Sequence, residues 1–67
     1  MRIISNSSSH IKISAHGRHY YWDKKNFKFL TAKGFRVQRG EFDSLSGLKE
    51  LLGDDVYNDI VSSYQNG

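Results

Sequence analysis

Three histidines and a dense run of rings and cations are the residues of this 67-residue chain with chemistry to offer. His16 and His19 stand three apart, with His10 upstream and Asp23 downstream. Zinc needs three or four ligands converging tetrahedrally. The chain has no Cys, and Asp23 is the only acid near the histidines. Turn and surface histidines are therefore expected, with no metal and no cofactor. Catalysis fares no better. There is no Cys nucleophile, no Ser in a strand-to-helix elbow and no Gly-rich phosphate loop. The acids lie toward the C-terminus, where helix caps and solvated faces account for them. A domain this small is also expected to lack the pocket of about 300 Å³ or more that small-molecule sites use. The expectation is a protein that is not an enzyme.

Residues 18–42 carry the stronger signal. Seven are aromatic (Tyr20, Tyr21, Trp22, Phe27, Phe29, Phe35, Phe42) and seven are basic (Arg18, Lys24, Lys25, Lys28, Lys33, Arg36, Arg39). Strand side chains alternate between faces, so rings interleaved with cations predict a sheet with a binding face. The partner contacts are placed on Arg18, Tyr20, Lys24, Lys25, Lys28, Arg36 and Arg39.

Charge is divided along the chain. Residues 1–40 hold nine Lys or Arg and one acid, a balance of +8, while residues 41–67 hold one Lys and six acids, a balance of −5. The net charge is +3. A basic half suits nucleic acid or an acidic protein surface. It is also what solvated surface charge on an ordinary sheet looks like. The absence of Cys fits the cytoplasm, and no apolar run approaches the roughly 18 residues of a membrane span. No signal peptide is read at the start, and no membrane partner is expected.

These residues need elements to position them. Arg2–Ser5 reads as a short strand and Asn6–Ser9 as a loop. His10–Ala15 alternates, with Ile11, Ile13 and Ala15 on one face and Lys12 and Ser14 on the other. His16-Gly17 is a two-residue turn. Arg18–Asp23 and Phe27–Thr31 are strands around a turn at 23–26, and Lys33-Gly34 leads to a last strand at Phe35–Arg39. Short turns between strands imply an antiparallel meander. The period then changes. Leu45, Leu48, Leu51 and Leu52 make a helical stripe, capped by Asp43 or Ser44 and ended by a left-handed Gly53. Asp54 or Asp55 caps a second helix carrying Val56, Tyr57, Ile60, Val61 and Tyr64. Gln65-Asn66-Gly67 is expected to fray.

The fold class is thus α+β, a single small domain over residues 1–67. Its meander sheet of four to five strands is followed by two C-terminal helices on one face, leaving the other face open. A chain this size buries only about 60% of its unfolded surface, so the core is thin. The predicted core is Ile11, Ile13, Phe27, Phe29, Val37, Leu45, Leu48, Leu51, Leu52, Val56, Ile60 and Val61. Trp22 is expected to be buried and at least one of Tyr20 and Tyr21 exposed. Register decides which, since a slip of one residue exchanges the faces.

Two families share features with this layout. Arg36–Leu52, a strand followed by Gly40-x-Phe42-Asp43-Ser44 and a helix, resembles the final strand and helix of plant-type and phage-integrase arm-binding domains. That resemblance implies DNA binding by the sheet, with Arg18, Tyr20 and Trp22 standing for basic and aromatic residues of the earlier strands. The whole layout, with Arg39-Gly40-Glu41-Phe42-Asp43-Ser44 before two closing helices, resembles the small phage-encoded anti-CRISPR proteins that inhibit type I effector complexes. That resemblance implies a non-enzymatic inhibitor in the host cytoplasm. It would bind a Cas effector protein or complex and block target DNA capture or cleavage. The basic half departs from the acidic, DNA-mimicking members, so an acidic Cas surface or a guide-RNA-lined interface suits it better. The alternative partner is DNA or RNA bound directly.

Overall fold

A two-residue turn sets the register of the central hairpin. Strand β2 (His10–Ala15) and strand β3 (Arg18–Asp23) are antiparallel, with Ala15 opposite Arg18, Ile13 opposite Tyr20 and Ile11 opposite Trp22. His16 and Gly17 between them both have positive φ, 54° and 73°, as a type I′ turn requires. Strand β1 (Arg2–Asn6) pairs with β2, with a register irregularity between Ile3 and Ser5. Strand β4 (Lys28–Thr31) pairs with β3, and the sheet order is β1-β2-β3-β4. The computed structural model describes residues 1–65.

Three helices follow, not two: α1 (Arg39–Asp43), α2 (Leu48–Leu52) and α3 (Asp54–Gln65). Asp54 and Asp55 occupy the first turn of α3, where the helix dipole favours negative charge. The expected fraying concerns Asn66 and Gly67, which lie outside the described residues, while Gln65 closes α3. The helices pack against the sheet face that carries Ile11, Ile13, Ala15, Tyr20, Trp22 and Phe29. Val37, Phe42, Leu45, Leu48 and Ile60 complete the core.

The expected fifth strand does not form. Only Leu30 and Arg36 make a bridge, and the Val37 N–H donates to the Phe29 carbonyl at 2.8 Å. Arg39 already begins α1, whose Phe42 is buried. Asp43 and Ser44 therefore end a helix instead of starting one, with the Ser44 hydroxyl donating to the Glu41 carbonyl at 2.7 Å. Leu45 sits between helices but stays buried, so the leucine stripe is apolar contact without continuous helix. Gly47, with φ of 85°, opens α2, and Gly53, with φ of 90° and ψ of 161°, separates α2 from α3. Gly53 is thus the expected break, though outside the left-handed helical basin.

Most of the predicted core is in place, with one exception. Leu51, Leu52, Val56 and Val61 are partly buried against the central cluster. Phe27 is 39% exposed, because it lies in the β3–β4 turn with a φ of 58° and only edges onto Trp22, ring centres 5.1 Å apart. Phe35 is 69% exposed while Val37 is buried, since the strand that would put both on one face is absent. Replacing Phe29 by Ala should cost about 3–5 kcal/mol in urea denaturation, and replacing Phe35 by Ala less than about 0.5 kcal/mol. A comparable loss at both positions would contradict this division.

Candidate functional site

The sheet face turned away from the helices gathers charge and one ring. Pairing fixes its composition. Lys12, Tyr21 and Leu30 stand abreast across β2, β3 and β4. His10, Asp23 and Lys28 form a parallel row, and Arg2, Ser14 and His19 a third. Tyr21 is half-buried at the centre. The His10 ring meets it edge-on at 5.8 Å, and Lys12 Nζ lies 5.4 Å from its centroid. A ring with a polar tip, steadied by an imidazole and an ammonium, can stack on a flat group or fill a partner's pocket. Asp23 is the one acid in these rows. Its carboxylate accepts from the N–H groups of Lys25 and Asn26 at 3.0 and 3.1 Å and from the Asn26 amide at 2.9 Å. The Asn26 side chain first, and then these backbone donors, hold its pKa below the ordinary value. It is therefore spent on the turn, and the face keeps its positive character.

The seven predicted contact residues do not converge. Lys28 is on this face. Lys25 is exposed in the adjoining turn, where Lys24 ties down the β1–β2 loop by donating to Asn6 Oδ1 at 3.0 Å and the Ser7 carbonyl at 2.7 Å. Arg18 lies at the opposite end of β3, 3.5 Å from Glu41. Tyr20 is a correction. It is only 2% exposed, its ring stacked on Phe29 with centroids 5.7 Å apart and its hydroxyl donating to Glu41. Ile13 opposite it points inward, so Tyr20 must also. It cannot serve as a surface anchor, and Tyr21 holds that position instead.

Arg36 and Arg39 stand apart at the end of α3. The backbone of Arg36 faces Leu30, but its guanidinium donates to the Ser63 carbonyl at 2.7 Å and lies 5.0 Å from the Tyr64 ring centre. Arg39 Nε donates to Asp43 at 3.1 Å, with its guanidinium 5.7 Å from the same ring. With Val37, Gln38 and Tyr64 they line a cleft of about 370 Å³. A second, open groove of about 490 Å³ lies between the His16-Gly17 and Ala32–Gly34 turns, lined by Arg18, His19, Tyr20, Thr31, Lys33 and Glu41 among others. The expectation that so small a domain offers no such concavity is thus corrected. Glu41 accepts from Tyr20 and pairs ionically with Arg18 there, so its charge is already engaged.

Lys12, Tyr21, His10 and His19 share the open face but are not among the seven predicted contacts. The signal was available: a two-residue turn at 16–17 pairs 12 with 21, opposite in parity to Ile13 and Tyr20. Among the described residues, no three His, Cys, Asp or Glu side chains come together as metal ligands, and no helix is long and apolar enough to cross a membrane. No protein-family model, curated protein or solved structure matches the chain. The fold and the face together define a small α+β domain with one open, basic sheet surface.

The tyrosines give this structure an alkaline limit. Burial raises the Tyr64 pKa from 10.0 to about 12, against the lowering effect of Arg36 and Arg39. Burial, then the bond to Glu41, raises Tyr20 as well. A raised tyrosine pKa means the folded state holds a proton that the unfolded state has lost, so stability must fall as pH rises from about 10 toward 12. Replacing Tyr64 by Phe should flatten that decline in pH-dependent urea unfolding. An unchanged slope would remove Tyr64 as its source.

Proposed function

We propose that the chain is a non-enzymatic binding module, an inhibitor of the anti-CRISPR type. It docks its open sheet face on an acidic surface of a Cas effector protein or complex and so blocks capture or cleavage of target DNA. The observation that carries the reading is the face itself. Lys12 lies against the half-buried Tyr21, Lys28 and Arg2 add charge to the same face, and the only acid in the rows is committed to a turn. The layout of a sheet closed by C-terminal helices adds support. Docking works by ordinary interface physics. The ring supplies buried apolar contact at the centre, and the lysines on the rim steer association and select acidic surroundings.

Direct binding of DNA or RNA is the second reading. A ring set between an imidazole and an ammonium favours it, since bases stack on aromatic faces while cations track phosphates. Fluorescence anisotropy with short duplex DNA and single-stranded RNA, at low and near-physiological salt, separates the two. Little binding near physiological salt, followed by recovery of Cas effector subunits in a pull-down, is the result expected of the inhibitor. Tight, salt-steep binding would move the reading to nucleic acid, because each phosphate contact releases counterions. In the inhibitor reading, Tyr21→Ala should weaken the complex by at least about 2 kcal/mol, roughly thirtyfold in Kd, and Lys28→Gln by distinctly less. If Tyr21→Ala is silent, the ring is not the anchor.

A further inference from the structure

We infer that Arg36 and Arg39 form a clamp for a phosphate group, in the cleft beside Tyr64 and away from the open sheet face. Both guanidiniums lie against one ring, 5.0 and 5.7 Å from its centre. Each is already aimed. Arg36 is held by the Ser63 carbonyl at 2.7 Å, and Arg39 by Asp43 at 3.1 Å. The ring beside both is itself fixed, since the Tyr64 hydroxyl donates to the Val37 carbonyl at 2.6 Å. A guanidinium carries five N–H donors, so one bond apiece leaves most of both forks unused.

Charge is out of balance in the same place. Arg36 has no carboxylate partner among the described residues, and the Asp43 partner of Arg39 is a surface pair with both side chains more than half exposed. Two positive groups thus line one cleft, where Asp43 is paired with Arg39, and Glu41, already bonded to Tyr20, is the other acid acting on the Tyr64 ring. A ring quadrupole attracts each cation but does not remove their mutual repulsion. A dianion would. Two planar forks lining a cleft of about 370 Å³ suit a tetrahedral phosphate, which accepts paired hydrogen bonds from guanidiniums. The Gln38 side chain lines the same cleft and makes no capping bond, leaving its amide available as a further donor. Inorganic phosphate and a phosphate monoester share this chemistry.

The test follows the arginine side-chain N–H signals by NMR in the full chain, titrated near neutral pH at constant ionic strength. Inorganic phosphate should give saturable shifts at Arg36 and Arg39, and sodium acetate should not. Phenyl phosphate binding more tightly than inorganic phosphate would support the clamp with a monoester as ligand, and equal binding would support it with the free ion. Arg39→Gln, at an exposed side chain, should fold normally and weaken binding about tenfold or more, because it removes one fork. Arg36→Lys keeps the charge but loses the fork, and should also weaken it. Lys28→Gln, on the sheet face, should leave it unchanged. Linear shifts spread over all basic residues, acetate binding as well as phosphate, or an Arg39→Gln variant that binds like the parent would each overturn the clamp. None of these results depends on a Cas or nucleic-acid partner, so the clamp and the proposed function can fail separately.

Discussion

The ring of Phe42 joins the two layers of this protein. It meets Phe29 of the sheet edge-on at 5.9 Å, stacks on Tyr64 at 5.2 Å and lies tilted against Tyr57 at 5.8 Å. One side chain in a five-residue helix therefore touches the centre of the sheet and two turns of α3. A helix that short has little stability of its own, because nucleation is costly and only one or two internal bonds repay it. Gly40 lowers its propensity further. α1 exists because Phe42 is buried and because Glu41, its neighbour, receives the Tyr20 hydroxyl and Arg18. The path of the chain from the last strand to the first long helix is thus set by tertiary contact.

That dependence explains which parts of the fold were legible. The hairpin of β2 and β3 follows from local rules alone. Ile11, Ile13 and Ala15 declare an inward face, and His16-Gly17 declares a two-residue turn. Together they fix Tyr20 and Trp22 as inward and Tyr21 as outward, without any further knowledge. Naming Tyr20 as a contact residue ignored that propagation of parity. The helix α3 is equally plain, with its apolar spacing and its two leading acids.

Residues 35–47 were misread for a physical reason. Phe35, Val37 and Arg39 alternate like a strand, but alternation describes a half-buried surface and not a pairing partner. Beyond β4 the chain finds only one bridge to Leu30, and Arg36 gains more by turning its guanidinium to the last turn of α3. The carbonyls there lack intrahelical donors, and the negative end of the helix dipole favours a cation. Asp43-Ser44 likewise reads as an N-cap on sequence alone, since the same residues serve both ends of short helices. The leucine spacing was right about burial and wrong about continuity, because Gly47 interrupts it with a φ that ordinary residues avoid.

Only part of the division of charge along the chain becomes a division in space, since Arg18, Arg36 and Arg39 turn to partners in the helix layer. Asp54, Asp55 and Asp59 are exposed on α3, and Glu50 on α2, whereas Lys12, Lys28 and Arg2 belong to the opposite side of the sheet. The screening length is roughly 8 Å at physiological salt. A partner resting on the sheet face would therefore meet the lysines at contact distance, with the acids of α2 and α3 on the far side of the core. The two sides of the sheet thus present different charge before any side chain touches.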